Sequence, residues 1–142
     1  MYRHILIPTD GSELAEHGVA HGLALAKSLG AKVSVIFVVE PFSEMSGRFL
    51  EVVARYAELR KEQATSVLDR AANAARELGV PCETIQVENA QPHQGIIAAA
   101  EHKGCDLIVM SSHGRSGLSA LLIGSVTNKV LTHAKTPVLV CQ

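Results

Sequence analysis

The sequence predicts an α/β fold in which a mainly parallel sheet is covered by helices on both faces. Five short apolar segments, typical of buried strands, alternate with four longer segments that have helical periodicity. Glycine and proline residues stand at several of the boundaries between them. This order favours right-handed βαβ units. A chain of 142 residues suits one domain with one core, so we expect a single domain over residues 1–142.

The first half of the chain predicts two strands and two helices. An apolar run, Ile5 to Ile7, marks the first strand, Ser12 can cap the following helix, and Gly30 can end it. The predicted elements are a strand at Tyr2–Pro8, a helix from Ser12 to Leu29, a strand at Lys32–Val39, a loop at Pro41–Gly47 and a helix from about Arg48 to Leu78.

Both predicted helices carry a face suited to packing on a sheet. Small residues recur in the first helix and should allow a close approach to the sheet; with Leu29 the set is Ala15, Gly18, Gly22, Ala26 and Leu29. The second helix has a stripe at steps of three or four: Val53, Tyr56, Arg60, Ala64, Val67, Ala71, Ala75 and Leu78.

The second half predicts three more strands and two more helices. The long helix stops at Gly79 and Pro81. The predicted elements are a strand at Cys82–Glu88, a break at Ala90–Pro92, a helix at His93–His102, a strand at Asp106–Met110, a helix over Leu118–His133 that is interrupted around Gly124 and Ser125, and a strand at Val138–Cys141.

Composition excludes several classes of protein. The formal net charge is −1 and no basic cluster is visible, so we expect no nucleic-acid partner. No apolar run approaches the ~20 residues of a membrane span, and no signal-peptide pattern precedes the first strand. Cys82, Cys105 and Cys141 are widely spaced, so we expect reduced thiols, no zinc site and a cytoplasmic location.

Two polar, glycine-containing segments follow predicted strands, where ligands bind in open α/β sheets. Pro8–Ser12 follows the first strand, and Ser111–Gly117 follows the fourth. A helix that begins at Gly124 and Ser125 would direct unpaired N–H groups outward, as an anion site does, and Arg115, Ser116 and Ser125 would add donors. A flexible turn with an ordinary cap is the alternative interpretation. Neither a Walker-type P-loop nor a standard dinucleotide fingerprint is present.

Asp10 and His113 each have two possible roles. Asp10 either binds a ribose hydroxyl or a metal, or it braces its loop as an Asx turn. His113 either contacts a ligand or hydrogen-bonds the loop backbone. His17 and His21 share a helix face that we expect to be solvated, and the remaining histidines, His4, His93, His102 and His133, are predicted at the surface. No nucleophile with a neighbouring base is visible, so evidence for an enzyme is weak.

Taken together, these segments resemble the universal stress protein family over the whole chain. The resemblance rests on matching blocks in the same order: Ile5–Ser12, Val38–Pro41, Asp106–Met110, Ser112–Gly117, Gly124–Val126 and Pro137–Val140. It implies a three-layer sandwich with a five-stranded parallel sheet of order 3-2-1-4-5, and a homodimer paired through the last strand, Pro137 to Cys141.

Many members of the family bind ATP through a Gly-x2-Gly-x9-Gly-Ser/Thr signature. Gly114, followed by nine residues and then Gly124 and Ser125, reproduces the second half of that signature. Ser111 replaces the first glycine, which would be costly if the backbone took a positive φ there.

The resemblance also implies roles for individual residues. Asp10 would lie at the ribose or adenine, flanked by Pro8 and Thr9, with the Val38 backbone against the adenine. The ribose and phosphates would be wrapped by Met110, His113, Gly114 and Arg115. The terminal phosphates would be held by Gly124, Ser125 and Val126. Mg²⁺ or Mn²⁺ would accompany the ATP without a dedicated protein ligand.

Three functions remain open at this point. The first is a dimeric, ATP-binding regulatory or signalling module of the stress response that acts on an unidentified protein partner. The second is a dimeric scaffold of the same family that binds no nucleotide. The third is a slow ATPase, for which the sequence shows no catalytic base.

Overall fold

The computed structural model describes residues 1–41, 50–113 and 122–142. Its five parallel strands form one sheet in the order β3-β2-β1-β4-β5, which confirms the predicted fold class and strand order. The elements are β1 (His4–Pro8), α1 (Glu13–Leu29), β2 (Lys32–Val39), α2 (Leu50–Leu78), β3 (Cys82–Glu88), α3 (Pro92–Lys103), β4 (Leu107–Ser111), α4 (Ser125–His133) and β5 (Val138–Cys141).

The predicted boundaries of β1 and β4 are wrong by one or two residues, and Asp106 is part of the reason. Its carboxylate accepts hydrogen bonds from the backbone N–H of Arg3 (2.9 Å) and of His4 (3.0 Å). Asp106 thereby binds the start of β1 from the residue that precedes β4, and β1 starts at His4 instead of Tyr2. Asp106 itself precedes β4, which runs from Leu107 to Ser111.

Two predicted helix limits are also corrected. The predicted break included Pro92, but this proline is the first residue of α3, where a missing N–H costs nothing. The helix continues to Lys103 and ends at Gly104, whose φ is 70°. In the last helical segment, residues 122–124 are not helical and α4 begins at Ser125. The predicted start at Leu118, the start at Arg48 and most of the Pro41–Gly47 loop lie outside the described residues.

The core has two layers, one on each face of the sheet. Alternate side chains of β1 separate the layers: Ile5 and Ile7 face α1 and α2, whereas Leu6 faces α3 and α4. The first layer is centred on Phe37 and the second on Ile36 and Ile108, all of which are fully buried. This arrangement leaves the carboxyl edge of the sheet between the two helical layers.

The small residues of α1 pack tightly on the sheet, as predicted. A Cβ at Gly22 would lie 2.5 Å from Cδ1 of Ile7, and one at Gly18 would lie 3.1 Å from the backbone N of Ser111. Leu29, in contrast, is 41% exposed because it is the last residue of the helix. The predicted face of α1 is therefore correct except at its end.

The stripe of α2 is buried only in part. Ala64, Val67, Ala71 and Ala75 are buried as predicted, and Leu68 joins them. Leu78 is exposed at the end of the helix, where the sheet no longer covers it. Val53, Tyr56 and Arg60, in the first part of α2, are half-buried. This part of the helix borders the site described below.

The prediction that His4 lies at the surface is wrong. Its Nε2 lies 2.7 Å from the Ser34 hydroxyl, which in turn donates to Oε1 of Glu83 at 2.8 Å. Because the hydroxyl proton goes to the carboxylate, Nε2 of His4 acts as the donor to Ser34. Burial, followed by the positive charge of Lys32, lowers the pKa of His4 below its usual value.

The prediction that His93 lies at the surface is wrong as well. Its ring is buried near the start of α3 and lies 5.9 Å from the ring of His133, centroid to centroid. Burial lowers the pKa of His93, and the charges of Lys129 and His133 act in the same direction. The exposed positions predicted for His17, His21, His102 and His133 are confirmed.

The three cysteines, Cys82, Cys105 and Cys141, have free thiols. Burial, reinforced by Asp106, raises the pKa of Cys105 to about 11, so its thiol is protonated at neutral pH. Within the three described ranges, no helix combines the length and the apolar character needed to cross a membrane.

Candidate functional site

A cavity of about 250 Å³ opens at the carboxyl edge of the sheet. It lies where β1, β2 and β4 end and where α3 and α4 begin, as expected for an open α/β sheet. All of the predicted site residues that the structure describes line it: Pro8, Thr9, Asp10, Val38, Met110, His113, Gly124, Ser125 and Val126. Gly114 and Arg115 lie outside the described residues.

Asp10 belongs to the loop that joins β1 to α1. Its Oδ1 accepts the N–H of Ser12 at 3.0 Å, and the Thr9 hydroxyl oxygen accepts the N–H of Gly11 at 3.2 Å. Gly11 has a φ of +81°, which favours glycine, and a Cβ there would come within 2.8 Å of Cγ2 of Val67. Asp10 therefore braces its loop as an Asx turn and also faces the cavity, so the two interpretations of Asp10 are compatible.

Ser111 takes the place of the first signature glycine without backbone strain. It is the last residue of β4, and no described residue other than glycine has a positive φ. Its hydroxyl donates to the backbone oxygen of His113 at 2.7 Å. Its own backbone oxygen accepts the hydroxyl of Thr127 at 2.9 Å. Ser111 thus ties the end of β4 to the loop and to α4.

His113 is buried in this loop, with 3% of its surface exposed. Its Nδ1 lies 3.0 Å from the hydroxyl of Ser112. Its Nε2 is also buried but has no hydrogen-bond partner among the described residues. Because a buried polar atom without a partner is costly, a ligand in the cavity would have a reason to engage it.

The N-terminus of α4 forms one wall of the cavity. Gly124 is its N-cap, with φ −62° and ψ 158°, and has no side chain that could cap the helix. The N–H of Gly124 donates to the backbone oxygen of Ser112 at 2.7 Å, so this group positions the helix and is not available to a ligand. The next N–H groups, on Ser125 and Val126, receive no cap from the N-cap residue. Because the φ of Gly124 is negative, a left-handed backbone does not explain the glycine at this position.

Sequence analysis missed several residues of the cavity. Most are apolar or small residues adjacent to the predicted ones in sequence or in the sheet, and the additional lining residues are Ala15, Ile36, Glu40, Arg60, Pro92, Ile96, Ser111 and Thr127. Arg60 is different, because it comes from α2, far from every motif. Its only sequence signal was the presence of a charged residue in an otherwise largely apolar stripe.

The charged groups of the cavity are distributed unevenly. Asp10 and Glu40 line it where β1 and β2 end, and Arg60 adds a positive charge from α2. Uncharged hydroxyl groups and the helix terminus line it near α4. The described residues contain no group of three or more His, Cys, Asp or Glu side chains placed to hold a metal ion. The arrangement suits an elongated ligand with an anionic end at α4.

Comparisons with known proteins agree on one family. The model of the "Universal stress protein family" matches residues 1–142. Universal stress protein MJ0531 of Methanocaldococcus jannaschii is 37% identical over 145 residues, covering 100% of this chain and 83% of that protein. The structure of universal stress protein UspA from Lactobacillus plantarum matches with a TM-score of 0.90 at 22% identity, covering 99% of this chain and 98% of that one.

A third similar protein was solved with a ligand. The universal stress protein from Archaeoglobus fulgidus in complex with dAMP matches with a TM-score of 0.69 at 20% identity. The match covers 99% of this chain and 98% of that one. At this identity the likeness establishes a common fold.

Proposed function

Because the chain belongs to the universal stress protein family, we propose that its cavity binds an adenine nucleotide, ATP in particular. The protein would then act as a nucleotide-dependent regulatory or signalling module of the stress response. The observation that carries the proposal is that one cavity joins apolar walls, a strand-end carboxylate and the uncapped N-terminus of α4. The dAMP complex of the Archaeoglobus fulgidus relative supports adenine nucleotides as the ligand class.

The phosphates would lie at the N-terminus of α4. The first N–H groups of a helix have no intrahelical partners, and the helix dipole favours negative charge there. Ser125 adds a hydroxyl, and the missing side chain at Gly124 leaves room for a close approach. His113 faces the same cavity with a buried, unpartnered Nε2, which would gain a phosphate or ribose oxygen as its partner.

The nucleoside would occupy the part of the cavity between the ends of β1 and β2. Apolar side chains form its walls: Pro8, Ile36, Val38, Ile96 and Met110. A flat, largely apolar base suits such walls, and Asp10 would accept a hydrogen bond from a ribose hydroxyl. The same carboxylate would repel a phosphate, which supports this orientation of the nucleotide.

A divalent cation, Mg²⁺ or Mn²⁺, would accompany ATP without a preformed protein site. The described residues offer no cluster of metal-ligating side chains, and Asp10 already accepts one loop N–H. Mg²⁺ commonly retains water molecules and takes its remaining ligands from phosphate oxygens. Bound in this way, the cation would neutralise part of the phosphate charge, and its affinity for the protein without nucleotide should be low.

Thermal unfolding with and without Mg–ATP tests the proposal. Ligand at 100 times its Kd adds about 2.7 kcal/mol to the free energy of unfolding, which raises the Tm by roughly 5–10 °C for a domain of this size. Mg–GTP and Mg²⁺ alone are the controls. A Tm that is unchanged at millimolar ATP would contradict nucleotide binding and favour a scaffold of the same fold. Steady phosphate release that is lost in Asp10→Ala would instead indicate hydrolysis.

A further inference from the structure

We propose that Arg60 is a ligand-binding residue of the cavity and that it contacts the nucleoside end of the ligand, not the phosphates. The inference rests on the proposed nucleotide binding and extends it to a residue outside the strand-end motifs. Arg60 lies on α2, and its guanidinium carbon stands 5.5 Å from the centroid of the Phe37 ring.

The hydrogen bonds of Arg60 are incomplete. Its Nη1 donates to Oε1 of Gln63, one turn further along α2. Its Nε is buried and has no partner among the described residues. Arg60 and His113 are the residues with such an atom in the described part of the chain, and both line the same cavity. Since an unpartnered N–H is costly when buried, a ligand acceptor placed beside Nε would relieve that cost.

The location of Arg60 separates it from the N-terminus of α4. α2 packs with α1 on the Phe37 face of the sheet, whereas α4 packs with α3 on the opposite face. Arg60 therefore approaches the cavity from beside β2, and the N-terminus of α4 forms a wall from the other layer. One ligand that touches both must extend across the carboxyl edge of the sheet.

The two carboxylates at the ends of β1 and β2 disfavour a phosphate on this side of the cavity. Asp10 and Glu40 line the cavity where β1 and β2 end, so a polyanion placed there would meet two carboxylates. A neutral acceptor, such as a purine ring nitrogen or a ribose oxygen, carries no such cost. The ring of Phe37 holds the guanidinium in place, which reduces the entropy lost when Arg60 forms a hydrogen bond.

The test compares three probes on wild type and on Arg60→Met. This substitution keeps the apolar stem of the side chain and removes all of its N–H groups. The probes are ATP, adenosine and inorganic tripolyphosphate, measured by calorimetry at fixed ionic strength. We expect Arg60→Met to weaken ATP and adenosine about tenfold, the range of one hydrogen bond from a charged donor. Tripolyphosphate affinity should stay within twofold. Arg55→Met is the matched control, since Arg55 is an exposed arginine of the same helix that pairs with Glu58 at 3.0 Å.

The measurements distinguish failure of the Arg60 assignment from failure of nucleotide binding itself. A loss for tripolyphosphate equal to that for ATP would overturn the nucleoside assignment and make Arg60 a phosphate contact. Unchanged affinity for ATP and adenosine would leave Arg60 with a packing role alone. If wild type binds neither ATP nor adenosine, the proposed function fails and this inference fails with it.

Discussion

Gly124 is the N-cap of α4, and its φ of −62° lies in a region that any residue adopts. Backbone freedom therefore does not explain the glycine. A serine, threonine or aspartate at this position would accept the N–H of the second or third helical residue and so fill the donors itself. Glycine leaves those donors for a ligand, at a cost of only a few tenths of a kcal/mol in helix stability.

We expect Gly124→Asp to have opposite effects on stability and on binding. The new carboxylate should cap α4, so the Tm of the unliganded protein should stay the same or rise. The affinity for ATP should fall tenfold or more, because the carboxylate occupies the first-turn N–H groups and repels phosphate. Gly124→Ala adds only a methyl group and serves as the control, with binding retained within a few-fold. A folded Gly124→Asp protein with unchanged affinity would contradict a phosphate site at α4.

The candidate residues at strand ends could be predicted because sequence order places them at one edge of a parallel sheet. Asp10 and His113 lie some hundred positions apart, yet each follows a strand, and the sheet brings both to one cavity. Arg60 could not be predicted in this way. At helical spacing, an arginine stem that packs on Phe37 and an arginine that faces a ligand give the same pattern.

Periodicity predicted every strand and helix of the described residues, and the errors in these predictions are confined to the ends of the elements. Ends depend on contacts that periodicity does not contain, such as the carboxylate of Asp106 at the start of β1. The same limit applies to β1 and α3, whose histidines were predicted at the surface. His4 and His93 are polar residues in short elements, and both are buried by contacts from other elements: Ser34 of β2 for His4, and His133 of α4 for His93.

These two histidines predict a stability that decreases in mild acid. Burial lowers the pKa of both His4 and His93 in the folded protein, whereas unfolding restores the ordinary value of 6.5. Below pH 6.5 the unfolded chain therefore binds more protons, and stability falls until pH reaches the lower pKa of the folded state. The Tm at pH 5.5 should be below that at pH 7.5.

The double variant His4→Gln/His93→Gln tests this assignment. Its Tm should change less between pH 7.5 and 5.5 than that of wild type, whatever its absolute stability. The exposed pair His17→Gln/His21→Gln is the control and should leave the wild-type change intact. Above pH 5 the carboxylates contribute little to the change, since the ordinary pKa of glutamate is 4.5 and that of aspartate is 3.8. An undiminished change in the His4/His93 variant would contradict the assignment.

Strand β5 is an edge strand of the sheet. It pairs with β4 on one side, and Leu139 is 38% exposed. The opposite edge, β3, is polar on its outer surface, with exposed Glu83 and Glu88. An apolar edge strand without a charged residue is a template for pairing with a second chain, so we expect a homodimer through Pro137 to Cys141.

Sedimentation at tens of micromolar protein tests the dimer. Wild type should sediment as a dimer, and Leu139→Lys, which places a charge on the edge strand, should shift it to the monomer. Leu59→Lys is the matched control, because Leu59 is similarly exposed but lies on α2, which packs against β2 and β3. A monomeric wild type would remove the basis for this interface.

The walls of the cavity come from nearly the entire length of the chain, from Pro8 to Thr127. They meet only when β1 is paired with β4, next to the contact in which Asp106 accepts the N–H of Arg3 across 103 positions. We expect contacts of such separation to form late in folding, because the chain must first close a large loop. A ligand of this cavity would therefore find no formed binding site in the early stages of folding. It would prolong the lifetime of the native state by slowing its unfolding, and would leave the refolding rate nearly unchanged.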